Sequence, residues 1–164
     1  SKFMQSKVEA DVKLIQEVII KVRNIRAESN VEPKQFVTLR IAPEKAELEA
    51  ILMENKEYIH RLARVEEIEI VSKLSDESVA ARAVAEGVAL EVPLDGIVDV
   101  EAEKLRLQKE LDKAKKEVDA LDKKLSNREF INKAPVSVVD ENRRRLSQYQ
   151  EKVAKLSEGL SRFH

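Results

Sequence analysis

The sequence has no cysteine and no tryptophan, only three glycines and four prolines, and 4% aromatic residues in 164. Without cysteine there is no disulfide framework and no thiolate-ligated zinc or iron–sulfur site, which fits a cytoplasmic protein. Scarce glycine, proline and aromatics argue against an all-β fold and against a compact enzyme core. No stretch approaches the roughly 18 consecutive apolar residues of a membrane span, and no signal peptide opens the chain. It starts inside an amphipathic pattern, KVEADVKLIQEVIIKV (7–22), as an excised fragment would. The only histidines, His60 and His164, stand apart in charged surroundings. There is no glycine-rich phosphate loop, no nucleophile elbow and no metal-ligand spacing. The composition therefore leaves no catalytic residue, metal site or cofactor to assign.

Charge is what the chain has in quantity. Charged residues make up 37% of it, which points to long solvated helices. The net charge of −1 is unevenly spread. Residues 97–164 hold 16 Lys/Arg against 13 Asp/Glu, and residues 123–145 hold seven against three. A basic field of this kind attracts phosphates, although a solvated helical face carries such a balance too.

Along the chain, Val8, Val12, Ile15, Ile19 and Val22 recur at helical spacing, with Leu14, Val18 and Ile25 beside them. Residues 6–29 read as a helix whose apolar face is too broad for one neighbour, and Asn30 and Pro33 end it. Two outcomes suit so broad a face: folding back on the next segment, or self-association through residues 6–29. KQFVTLRIA (34–42) alternates as a strand does. Pro43-Glu44 opens a second helix containing Leu48, Ile51, Leu52, Ile59 and Leu62. EEIEIVSKL (66–74) alternates again, and ARAVAEGVALEVPL (81–94) reads as one or two further strands, turning near Glu86-Gly87. Residues 34–96 are thus expected to form a small α+β unit.

From Asp99 the period changes to seven. Val100, Leu107, Ala114 and Leu121 form one series, and Leu111, Val118 and Leu125 a second, broken only by Lys104. After an interruption, Val139, Leu146, Val153 and Leu160 interleave with Asn142, Tyr149, Leu156 and Phe163. Two runs of about four heptads, separated by Ser126-Asn127 and Ala134-Pro135, predict an antiparallel coiled-coil hairpin over residues 97–164. Leu125 should then face the region of Val139, and Leu107 that of Leu156 to Leu160. At 1.5 Å per residue the arm would be about 40 Å long.

At its tip, KLSNREFINKAPVSVV (124–139) carries more than a turn needs. Ile131, Val136 and Val139 are expected to plug the open end of the coiled coil. Phe130 could join that plug or stack on a nucleobase. Lys124, Arg128, Lys133, Arg143, Arg144 and Arg145 have no core role and are candidate phosphate contacts. The last three fan around a helix, so they cannot all meet one ligand. Arg23 and Arg26, one turn apart, could reach an RNA stem or form surface salt bridges. The overall expectation is a mostly helical α+β chain with a strand–helix–strand unit and a long two-helix hairpin.

With these segments laid out, the chain resembles the C-terminal end of valyl-tRNA synthetase. VIIKVRNIRAESNVEP (18–33) looks like the last helix of that family's anticodon-binding bundle, VPLDGIVDVEAEKLRLQKEL (92–111) like the lead into its C-terminal arm, and KLSNREFINKAPVSVVDENRRRL (124–146) like the arm's tip. The resemblance implies three parts: a terminal bundle helix (1–33), the α+β unit (34–96) and a tRNA-binding arm (97–164) lying against the outer corner of tRNA(Val). It also implies an ATP-dependent ligase whose ATP, magnesium and valine are handled elsewhere, because the class I signatures H-I-G-H and K-M-S-K-S do not occur here. Ser29 stands where relatives often carry an apolar residue. Against this stands a DNA-binding or protein-docking coiled-coil hairpin of an unrelated ATPase, which would leave residues 34–96 without a role.

Overall fold

The computed structural model describes residues 1–76 and 79–163, so His164 lies outside the described residues. Two compact units divide the chain, Ser1–Val100 and Glu101–His164.

Helix α1 runs Lys2–Glu28, starting four residues before the expected residue 6, because the Ser1 hydroxyl accepts a hydrogen bond from the Met4 amide and caps the first turn. Its C-terminus closes as a Schellman motif. Asn30 turns left-handed at φ 56°, its amide donates to Ala27 and the Val31 amide donates to Arg26. Leu14, Ile15, Val18, Ile19, Val22 and Ile25 are buried, and α1 packs on β3, β4 and α3. The C-terminal half of α1 therefore folds back on the α+β unit, whereas Phe3, Met4, Val8 and Val12 remain exposed.

Strand β1 (Val37–Pro43) alternates Val37, Leu39 and Ile41 into the core with Thr38 and Arg40 on the other face. The expected second helix is two: α2 (Ala46–Glu54) and α3 (Lys56–Ala63) break at Asn55, whose side-chain amide donates to the Ile51 carbonyl at 2.8 Å. An asparagine that caps its own preceding turn competes with helix continuation. Leu52, Ile59 and Ala63 are the buried residues of the pair. Arg64 ends α3 in the left-handed region at φ 51°, and β2 (Val65–Ile70) then pairs parallel to β1. Strands β3 (Ala80–Ala85) and β4 (Val88–Pro93) form the expected hairpin, with Gly87 at φ 78° in its turn. Strand order is β2-β1-β4-β3.

Across the face opposite the core, one residue from each strand lines up as Glu69, Arg40, Glu91, Arg82. Arg40 Nε donates to Glu69 at 2.9 Å and its Nη1 to Glu91 at 3.2 Å, while Arg82 Nε donates to Glu91 at 2.9 Å. Glu91 has no solvent exposure. A carboxylate is tolerated there because both its oxygens accept charged hydrogen bonds.

The second unit is the hairpin. Helices α4 (Val100–Ser126) and α6 (Val136–Ser161) are joined through a short helix α5 (Arg128–Lys133) that the heptad pattern does not foreshadow. Leu107, Leu111, Ala114, Leu121, Val139 and Asn142 are buried, and the other heptad positions from Val118 to Leu160 are half-buried. The Leu107 methyl groups pack over Gly159, and Arg145 Nη2 lies 3.9 Å from Glu117 on the facing helix. These two pairings set an antiparallel register that agrees with the sequence reading. Acidic Glu101 and Glu103 in the first turn of α4 and basic Lys123 and Lys124 in its last complement the helix dipole.

Candidate nucleic-acid interface

Asn127 stops α4 and starts α5: its side chain accepts from the Glu129 amide at 3.0 Å. An asparagine three residues before a hydrophobic pair is a helix-start signal, and it was available in the sequence. Ala134 is extended, as a residue before proline must be, and Pro135 places Val136 at the first position of α6. The result is a compact tip with basic groups on three consecutive helices.

Lys124 reaches from the end of α4 over the Phe130 ring, with Nζ 4.9 Å from the ring centre. This cation–π contact holds an ammonium group at the tip. Phe130 and Ile131 are half-buried and Val139 is buried. Val136 does not belong to the expected plug: it is 76% exposed. It shares its heptad position with Arg143, on the flank of α6, so helical phase turns it away from the seam.

The six basic candidates differ in how far they are already partnered. Arg128, on the first turn of α5, has no ion-pair partner among the described residues. Lys133 pairs with Glu129 at 3.3 Å, but both side chains are about four-fifths exposed. Such a pair is worth roughly 0–1 kcal/mol, so a phosphate can displace the carboxylate at little cost. Arg143 sits 3.7 Å from Asp140, and Arg145 makes the long cross-helix contact to Glu117. Arg144 is the most committed, with Nε and Nη2 donating to Glu141 at 2.6–3.1 Å. That hydrogen bonding, and then the paired charge, raises the Arg144 guanidinium above its usual value and holds the Glu141 carboxyl below its own.

Arg23 and Arg26 belong to the other unit. Arg23 is exposed, but Arg26 is 92% buried, since only 8% of it meets solvent. Its Nη2 donates to the Glu32 carbonyl at 3.0 Å and its Nη1 approaches the Arg64 carbonyl at 3.5 Å. Arg26 therefore ties the end of α1 to the end of α3. It is neither in a surface salt bridge nor freely displayed. Among the described residues no group of three or more His, Asp or Glu converges as a metal site, and no helix is long and apolar enough to cross a membrane.

The two units define a class: a small α+β unit, and in the same chain a coiled-coil hairpin whose tip holds partly unpaired positive charge. Comparison with known proteins narrows it. Residues 99–164 match the family model described as "Valyl tRNA synthetase tRNA binding arm". Over 157 residues the chain is 38% identical to a valine–tRNA ligase of Listeria innocua, covering 96% of this chain and 18% of that relative. It is 39% identical over 142 residues to that of Geobacillus kaustophilus (87% and 16%), and 38% over 144 residues to that of Francisella tularensis (88% and 15%). Residues 99–164 belong to the tRNA-binding-arm family of valyl-tRNA synthetases, and most of the chain is similar to valine–tRNA ligases. It spans less than a fifth of the length of these relatives.

Proposed function

We propose that this chain is the tRNA-binding region of a cytoplasmic valine–tRNA ligase, and that its arm meets the outer corner of tRNA(Val) through the tip. The observation that carries this reading is the tip itself, where Arg128 has no ion-pair partner among the described residues and Lys124 and Lys133 are held by weak partners. Its mechanism is positional. Phosphate contacts far from the reacting ends orient the tRNA without reading its sequence, while adenylate formation with ATP, magnesium and valine belongs to a catalytic domain outside this chain. The fragment itself is non-catalytic.

The test is tRNA binding as a function of salt. Removing one cation from a phosphate flattens the log–log slope by about 0.7–0.9, so Arg128→Ala/Lys133→Ala should reduce it by roughly 1.5, similarly for different tRNAs. Phe130→Ala separates the two roles open to that ring. Stacking predicts a loss of about 1–3 kcal/mol in affinity with little change of slope, whereas a packing role predicts a lower melting temperature first. A double variant that folds normally and binds with unchanged affinity and slope would exclude the tip as the contact.

A further inference from the structure

A second concentration of positive charge lies in the first unit. Arg23, Arg26 and Arg64 line a cavity of about 260 Å³ with Pro33 and Leu62, and no carboxylate among the described residues lines it. None of the three arginines has an ion-pair partner among those residues. Arg26 is the unusual member, a buried guanidinium whose partners are two neutral carbonyls. The carbonyl end of α3 offsets part of its charge, yet burial and then repulsion from Arg64 still press Arg26 below its usual value. Charge of one sign at a low-dielectric wall concentrates anions.

Arg64 supplies an independent observation. It holds the left-handed conformation at φ 51° where a helix C-terminus ordinarily uses glycine or asparagine. A long side chain kept at a strained position points to a task for that side chain. The planar donors of arginine match the paired oxygens of a phosphodiester, and Pro33 and Leu62 offer an apolar wall for the adjoining sugar.

We propose that this cavity is a second RNA-backbone site, in which Arg23 and Arg64 grip one or two phosphodiesters above the fixed charge of Arg26. The proposal rests on the reading that the chain binds tRNA, and it assigns Arg64 a role that no pattern in the sequence signals. The test uses the full chain with Arg23→Gln/Arg64→Asn. Asparagine tolerates the left-handed backbone, so this variant should fold as well as the parent. Arg26 is left in place because it ties α1 to α3. The salt slope for tRNA should flatten by roughly 1.5, additively with the tip variant, and Arg23→Lys should keep most of the slope. Arginine side-chain NMR resonances should shift with tRNA and lose that shift in the variant. An unchanged slope in this variant, alongside a flattened slope in the tip variant, would overturn the cavity proposal and leave the tip reading intact. A slope that falls here and not at the tip would do the reverse. Resonances that move with inorganic phosphate while the tRNA slope stays unchanged would assign the cavity to a free anion and overturn the proposal.

Discussion

Replacing Glu91 by alanine removes the one charge that holds the four-strand row together. Glu91 has no solvent exposure and accepts from Arg40 at 3.2 Å and from Arg82 at 2.8–2.9 Å. Removing one partner of a buried ion pair commonly costs about 3–5 kcal/mol, because the other charge is left uncompensated. Here that cost is discounted. Arg40 and Arg82 are 32% and 36% exposed, so water reaches both after the change. Arg40 also keeps Glu69, and Arg82 keeps the Ser75 carbonyl. The expected loss is therefore about 2–3 kcal/mol, still a large part of the roughly 5–15 kcal/mol that holds a domain folded. Glu69→Ala is the internal control. Its carboxylate is 38% exposed, and its pairing with the same Arg40 should be worth about 0–1 kcal/mol. Because the chain has two units, the fitting assay is hydrogen exchange of the β1 and β4 amides with urea unfolding beside it, which reads the sheet's own opening. Equal stability losses for the two variants, within about 0.5 kcal/mol, would refute the claim that burial sets the strength of this row.

In the hairpin, Gly159→Ala should stabilise. A β-carbon there would lie 3.7 Å from a Leu107 methyl, an ordinary contact. Alanine is favoured over glycine in a helix by about 1 kcal/mol, less near an end, so a gain of about 0.5–1 kcal/mol in urea unfolding is expected, and a loss would show that the seam is tighter than it looks. At the tip, the Glu141 carboxyl is held down by its hydrogen bonds from Arg144. A carboxyl whose folded value is depressed contributes stability above its unfolded value and loses it as pH falls through the folded one. The Glu141 carboxyl carbon should thus titrate below the ordinary carboxylate range by NMR, and Arg144→Gln should move it back up; titration at the ordinary value in both would contradict the pairing.

How much of this was legible depends on how far apart the cooperating residues lie. The seven-residue period of Leu107, Ala114, Leu121 and then Val139, Leu146, Val153 states a hairpin because each helix defines its own buried stripe within a few turns. The turn at Gly87 and the stop at Asn30 are equally local, since each needs a left-handed residue at one place. Positive charge at the tip was visible, although its division into Arg128 without an ion-pair partner among the described residues, weakly held Lys133 and committed Arg144 was not. The rest hangs on partners distant in sequence. Asn55 breaks a helix that apolar spacing alone would continue, and Val136 is apolar yet sits on a flank. Strand alternation puts Arg40, Arg82 and Glu91 on the face away from the core. That Glu91 is wholly buried there follows from a strand order in which β4 lies between β1 and β3, with its partners 51 and 9 residues away. Arg26 read as a surface cation because nothing in its neighbourhood announces Arg64, 38 residues later, whose carbonyl helps to hold it. Periodicity is written in adjacent residues and specifies elements; burial and electrostatic partnership are properties of the packed chain, and no short stretch contains them.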